Sequence, residues 1–287
     1  MTPVSHTHPA NDKTAREGGA KPDPMPQTDI ASVHDTARAF VEARRAGRAL
    51  PDYPGTIPPD LATAYRVQDA ALSLAEGEVV GWKVGRINPP VDGVDRLSGP
   101  IFSGTVFDAT DGTLPMPIFA DGFGAAEAEF LIRIGTPPDP AKTQYTMDEA
   151  RDLIDAVHVG IEIASSPFPG INTHGPTVTI SDFGNNHGLV VGAGIPDWRE
   201  LDLNQWPITL DINGDRIGAA TAAAMLDGPI GAARFLFEHM AVRGIPLRPG
   251  QWISSGAVTG VHPVAVGDRV TATFDGRYTV GCTIKAR

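Results

Sequence analysis

Cysteine is almost missing from this chain, with Cys282 the only one in 287 residues. One thiol excludes an internal disulfide framework and any multi-cysteine zinc or iron–sulfur site, and it fits a reducing, cytoplasmic compartment. Cys282 itself reads as a small apolar residue of a strand. Positive charge is scarce too, with 23 Lys and Arg against 34 Asp and Glu and a net charge of −11. Without a basic footprint, nucleic acid and anionic membrane surfaces are poor partners, and a small anionic substrate needs a local positive centre. No apolar run approaches the ~18 residues that span a bilayer. Also absent are a G-x-G-x-x-G opening a helix, a P-loop and a G-x-S-x-G elbow, so nucleotide-binding and triad-hydrolase readings lack their physical elements.

What remains is globular: 41% of the residues are hydrophobic, enough to bury an ordinary core in one large domain or a small one plus a larger one. Residues 1–28 are rich in Pro, Gly, Thr, Asp and Lys and hold no apolar segment of the signal-peptide kind, so they are expected to form a disordered tail in which His6 and His8 are inert. Residues 29–78 form an N-terminal helical portion. Val33, Ala37, Phe40 and Val41 recur at helical spacing up to Gly47, and Leu61, Ala64, Tyr65, Gln68 and Leu72 share a second stripe after Asp60. From residue 79 to 287 the chain turns to short β-branched runs punctuated by Gly, Pro, Asp and Asn, with two further helices. One opens at a Thr146–Glu149 capping box, with Ala150, Leu153, Ile154 and Val157 as its stripe; the other runs from Pro229 to Gly244. WISSGAV, RVTATF and YTVGCTI read as closing strands, with Asp275-Gly276 as a hairpin signal between the last two. The layout is α+β.

The chemistry concentrates in AAEAEFLIRIG. Strand alternation puts Ala128, Phe130, Ile132 and Ile134 on one face and Glu127 and Glu129 together on the other, close enough to share one cation. Alone, this pattern also fits a solvated strand face that continues to Arg133. In VHVGIEIASS a third carboxylate, Glu162, stands among small residues inside an apolar run, where it is costly unless paired or bound to a metal. Three carboxylates without cysteine favour a hard ion, Mg²⁺ or Mn²⁺, which leaves positions for a 2-oxo acid and stabilises enolate charge. In VVGWKVG, Lys83 sits between Gly81 and Gly85 on one face, as if something approaches the backbone there. It is a candidate for holding a substrate carboxylate or moving a proton, against the alternative of a snorkelling surface lysine. Ser254 and Ser255, ahead of Gly256 and Gly260, offer hydroxyls and backbone N–H groups to an anion. The long aperiodic stretch 165–188 offers Asp182, Asn185, Asn186 and His187, either as site-lining groups or as local turn chemistry.

GWKVG, GPIF at 99–102, EAEF at 127–130, GIEI at 160–163, SDFGNNHG, SSGAV and GD at 267–268 follow one another as in the fumarylacetoacetate hydrolase superfamily. Over residues 30–287 the chain most resembles its branch of 2-keto-4-pentenoate (2-hydroxypentadienoate) hydratases and 4-oxalocrotonate decarboxylases. The resemblance implies a mixed β-sheet roll, a metal triad of Glu127, Glu129 and Glu162, Lys83 in the active site and Ser255 near the substrate carboxylate. It further implies cytoplasmic homo-oligomers and a place in aromatic meta-cleavage catabolism. Two stretches depart from the pattern. Ser98 stands where such hydratases commonly carry an acid beside the substrate, and Asp182-Phe183-Gly184-Asn185-Asn186 replaces an Asp-Asn-Ala-Ser type sequence. The expected reaction is metal-dependent hydration of 2-hydroxypenta-2,4-dienoate or a close analogue. The alternatives are decarboxylation of a 2-oxo-3-hexenedioate, hydrolytic C–C cleavage of an acylpyruvate, and, in a different class, non-catalytic metabolite binding.

Overall fold

The computed structural model describes Met1, residues 27–109 and residues 114–287. Apart from Met1 and its last two residues, the expected N-terminal tail, with His6 and His8, lies outside the described residues.

Helix α1 (Gln27–Ala46) starts two residues before the expected boundary and stops at Gly47, whose φ of 63° is the left-handed turn that glycine supplies at a helix end. Arg44 and Arg45 close its last turn, where the helix dipole favours cations. Helix α2 (Leu61–Leu74) is capped by the Asp60 carboxylate, which accepts the Thr63 N–H at 2.7 Å. The two helices bury Val33, Ala37 and Val41 against Val67, Ala70 and Ala71, and Phe183 from the β-rich part joins that cluster.

Strands β1 (Val79–Val91) and β2 (Val94–Phe102) form a hairpin. Its two-residue turn, Asp92-Gly93, has positive φ at both positions, as a turn matching strand twist requires. Then come β3 (Val106–Asp108), β4 (Pro115–Ile118) and β5 (Phe123–Ile134), followed by α3 (Met147–Asp152) and β6 (Ile154–Ser166). Next are α4 (Pro176–Ser181), β7 (Asn186–Gly194), β8 (Pro207–Ile212), β9 (Asp215–Thr221) and α5 (Gly228–Arg243). The chain closes with β10 (Trp252–Ser254), β11 (His262–Pro263), β12 (Arg269–Phe274) and β13 (Tyr278–Ala286).

Among the described residues two sheets form. One has eight strands, in the order β2-β1-β10-β5-β6-β7-β3 with β11 on β5; the other has five, in the order β4-β13-β12-β8-β9. Both are mixed, since β1/β10, β3/β7 and β4/β13 are parallel pairs. Their facing sides make the main core. Ala128, Phe130 and Ile132 of β5 and Val159 and Ile161 of β6 pack with Ile208, Leu210, Ala272, Phe274 and Val280, and Leu236, Phe237 and Met240 of α5 cover one side. Phe130 meets Phe274 edge-on, with ring centroids 5.4 Å apart, and truncating so large a buried ring costs about 3–5 kcal/mol. Cys282 is buried in the same core. The α+β class and the mixed-sheet architecture are as expected.

Three local expectations change. The helix behind the Thr146–Glu149 capping box is only six residues long, and Ile154 and Val157 belong to β6. Spacing of three is helical, but Val157, Val159, Ile161 and Ile163 alternate, and the sheet satisfies that longer pattern. The stretch 165–188 is not structureless: it holds α4 and then three successive left-handed residues, Phe183, Gly184 and Asn185. WISSGAV is a strand only to Ser254, after which Gly256 (φ 102°) turns the chain.

Candidate active site

The β5–β6 register sets Glu127 directly opposite Glu162 and Glu129 opposite Gly160. Like charges facing each other across a ladder repel, yet all three carboxylates are buried, Glu129 and Glu162 completely. Leu131, on the same face of β5, explains the burial. It packs with Ile101, Leu189 and Val191, so the face that emerges at Arg133 is closed over Glu127 and Glu129. One oxygen from each carboxylate lies within 4.8 Å of the other two.

Lys83 completes the cluster. β1 stands three positions from β6 in the sheet, about 14 Å along a flat sheet, but Lys83 Nζ is 3.4 Å from Glu162 Oε1. The sheet is therefore curled around the carboxylates. Lys83 is 6% exposed, which rules out a snorkelling surface lysine. The close approach at its flanking glycines comes partly from the protein itself, because a Cβ at Gly81 would stand 2.5 Å from the Trp252 carbonyl oxygen. Across the hairpin, a Cβ at Gly99 would overlap the Phe183 carbonyl, and one at Gly184 would stand 3.0 Å from Lys83 Cδ. β2, the left-handed turn and the lysine stem thus meet backbone to backbone.

Each inner carboxylate is held on one oxygen. Glu129 Oε2 accepts from the Ser254 hydroxyl at 2.5 Å and the Gly256 N–H at 2.9 Å. Glu162 Oε1 accepts from the Asn186 amide at 2.9 Å. The other oxygens, Glu129 Oε1 and Glu162 Oε2, are buried without a hydrogen-bond partner among the described residues, as are Ser255 Oγ and Asn185 Oδ1. Burial pushes the Glu127 carboxyl up to about 7 against the pull of Lys83. Burial, then the charges of Glu162 and Glu127, pushes Glu129 well above the usual carboxylate range. Burial alone would weaken the Lys83 ammonium, but Glu162, Glu127 and Glu129 outweigh it and hold the proton more tightly than usual. Three carboxylates face one ammonium, and the unpartnered oxygens form an all-oxygen donor set that fits a hard divalent cation.

A cleft of about 780 Å³ opens over the cluster, with Lys83, Glu127, Asn185 and Ser255 in its walls. Of the residues proposed from the sequence, these four meet there, and Glu129 and Glu162 lie buried next to them. Two do not join. Ser98 pairs with Val84, so its side chain projects to the face of the hairpin opposite Lys83, where Arg243 donates to its hydroxyl at 3.3 Å. Asp182 is the counter-ion of Arg44, which donates to both its oxygens at 2.5 and 3.0 Å, and the Ser166 hydroxyl adds a third bond at 2.6 Å. Ser98 and Asp182 thus make contacts within the protein and do not line the cleft. Sequence reasoning offered Ser254 to an anion and Asn186 as a site-lining group; their task of gripping Glu129 and Glu162 depends on strand register. Arg86 and Arg96, also in the cleft wall, had no sequence signal.

No family model matches the chain. It is 28% identical over 267 residues to a 2-keto-4-pentenoate hydratase of Burkholderia vietnamiensis, covering 89% of this chain and 98% of that one. The fold is similar to that of 4-oxalocrotonate decarboxylase from Pseudomonas putida G7, a structure complexed with magnesium and adipate, with a TM-score of 0.73 at 20% identity over 91% of this chain and 99% of that one. It is also similar to a fumarylacetoacetate hydrolase family protein from Yersinia pestis, with a TM-score of 0.52 at 19% identity over 71% and 92% of the two chains. Among the described residues no helix is long and apolar enough to cross a membrane.

Proposed function

We infer that this chain, a member of the fumarylacetoacetate hydrolase superfamily in the branch of the 2-keto-4-pentenoate hydratases and 4-oxalocrotonate decarboxylases, is a metal-dependent lyase that adds water to 2-hydroxypenta-2,4-dienoate or a close analogue. The product is a 4-hydroxy-2-oxo acid. The observation that carries this reading is the buried trio Glu127, Glu129 and Glu162, short of positive charge and with unpartnered oxygens, beside a cleft that holds Lys83. The full-length similarity to a hydratase sets the reaction class.

Glu127, Glu129 and Glu162 would hold the ion, Mg²⁺ or Mn²⁺. Bound there, a divalent cation supplies a fixed positive charge against which an enolate is stabilised. Ser254 and Gly256 hold Glu129, and Asn186 holds Glu162, so the carboxylates are oriented before substrate arrives. Lys83 brings an ammonium to the cleft, where it anchors the substrate carboxylate or hands over a proton during ketonisation of the dienol. The Ser255 hydroxyl, which has no partner among the described residues, would donate to the same carboxylate. Water then adds at C4 of the conjugated enone while C3 takes a proton. The branch also carries the expectation of a cytoplasmic homo-oligomer serving aromatic meta-cleavage catabolism.

The test is loss of the dienoate chromophore, followed with chelated, Mg²⁺-loaded and Glu129→Ala protein. Metal-dependent loss that disappears in the variant is expected; a chromophore that persists in metal-loaded wild-type protein would overturn the hydratase reading.

Arg86 in the cleft wall favours one second reading, because among the described residues no carboxylate pairs with it and a five-carbon monocarboxylate leaves it unused; Arg96, also in that wall, is already paired with Asp227. A dicarboxylate such as a 2-oxo-3-hexenedioate would engage Arg86 and could lose its distal carboxylate as CO₂. Release of CO₂ from the dicarboxylate, with no turnover of the monocarboxylate, would replace the first reading by this one.

A further inference from the structure

A second cavity, of about 460 Å³, lies on the other side of the Phe183–His187 turn, and Arg44, His187 and Arg287 line it. His187 is 4% exposed and stands between the two guanidinium groups. Arg44 Nη1 is 3.2 Å from its Nδ1, and Arg287 Nη1 is 3.3 Å from its Nε2. Burial, with the charges of Arg44 and Arg287, holds the imidazole neutral by pushing its pKa well below the usual histidine range. A neutral imidazole has one N–H and one lone pair. It can accept from one arginine only, and at its other nitrogen two donors face each other.

The charges do not balance either. Arg44 is matched by Asp182, and Arg45, at the rim, by Glu76 at 2.9 Å. Among the described residues no Asp or Glu side chain pairs with Arg287, an exposed residue whose guanidinium reaches back to the buried His187. Arg44 and Arg287 also crowd the same Phe119 ring, at 5.7 and 5.3 Å from its centroid. Three guanidinium groups, a surplus of N–H donors and two carboxylates, Asp182 behind Arg44 and Glu76 at the rim, are thus gathered around a space large enough for a small molecule.

We propose that this cavity is a binding site for a small oxyanion, a carboxylate or a tetrahedral anion, held by the fork of Arg287 and by the donor that His187 leaves unmatched. An anion supplies both missing quantities, negative charge and acceptor lone pairs, and a planar guanidinium presents paired N–H groups to it. The site is separate from the Lys83 cleft and stands or falls independently of the hydratase reading.

Thermal unfolding of the full chain in sulfate or acetate, against chloride at equal ionic strength, tests it. At ten times the dissociation constant, sulfate should raise Tm by about 3 °C, with or without Mg²⁺. Arg287→Gln should abolish the shift, Arg287→Lys should keep a reduced one, and Lys83→Met should leave it intact. If acetate acts and sulfate does not, the site is a carboxylate site; the reverse marks a tetrahedral-anion site. No shift with either anion up to roughly 50 mM, where even millimolar binding would register, would overturn the proposal. An undiminished shift in Arg287→Gln, or its loss in Lys83→Met, would overturn it too.

Discussion

Two buried acidic clusters sit near each other in this protein and are built on opposite terms. At Asp182 every need is met: Arg44 neutralises the charge and binds both oxygens, and Ser166 adds a third hydrogen bond. At Glu127, Glu129 and Glu162 the needs are left open, with three carboxylates, one ammonium and inner oxygens that no donor reaches. A balanced ion pair locks helix α1 to the turn after α4. An unbalanced group can persist in a folded core only if protons or a cation complete it. The contrast separates architecture from chemistry without reference to relatives, since the acids of both sites are buried and only one site is short of partners.

The comparison breaks most sharply if the two are neutralised in turn. Glu129→Gln keeps the shape but removes one ligand charge, and we expect turnover of the dienoate to fall by at least about 10³-fold, with no loss of Tm in chelated protein. Asp182→Asn should do the reverse. It strands Arg44 in the interior at a cost of about 3–5 kcal/mol, roughly 10 °C in Tm, by thermal unfolding, while residual activity per folded molecule persists. Equal destabilisation by the two variants would erase the distinction.

A smaller effect sharpens it. Ser254→Ala removes one of the two donors that grip Glu129, so Mg²⁺ affinity by calorimetry should weaken about 10–100-fold with little change in Tm. The smallest effect is on pH dependence. The Glu127 carboxyl is raised to about 7 in the folded chain, against about 4.3 when unfolded. Between those values the folded state holds the extra proton. Metal-free protein therefore has the full benefit below about 4.3 and loses it as pH rises through about 7. Metal binding needs the ionised form and strengthens over the same interval. The Tm gap between Mg²⁺-loaded and chelated samples should widen from pH 5 to pH 8; a constant gap would mean that Glu127 is not a ligand.

Where the sequence was legible, each signal lay within a single strand or turn. Glu127 and Glu129 share a face because alternation is fixed by the backbone, and Glu162 was conspicuous among small and apolar neighbours. The Asp275-Gly276 turn shows positive φ at both residues, as that pair of residue types implied. Legibility ended where a second strand had to be placed. Ser98 lies three residues before Ile101 on the same strand, but whether it shares the face of Lys83 depends on the β1–β2 register, which pairs it with Val84 instead. Asp182 looked like a site-lining residue because its counter-ion, Arg44, lies 138 residues away on a helix whose stripe shows only its apolar side. Ile154 and Val157 fit a helix and a strand alike, and only packing against the second sheet decides between them.

The glycine contacts at positions 99 and 184 limit how this active site can diverge. Because β2 touches the Phe183 carbonyl and the turn touches the stem of Lys83, any side chain added at either point pushes on the lysine and, through Asn186, on Glu162. That wall can accept almost no trial mutations. The opposite wall, from Met225 to Gly228 and from Ala257 to Pro263, is made of loops and short strands with partly exposed side chains. A lineage that needs a new substrate therefore has one wall free to explore, and it can change what the cleft accepts while inheriting the acid cluster intact.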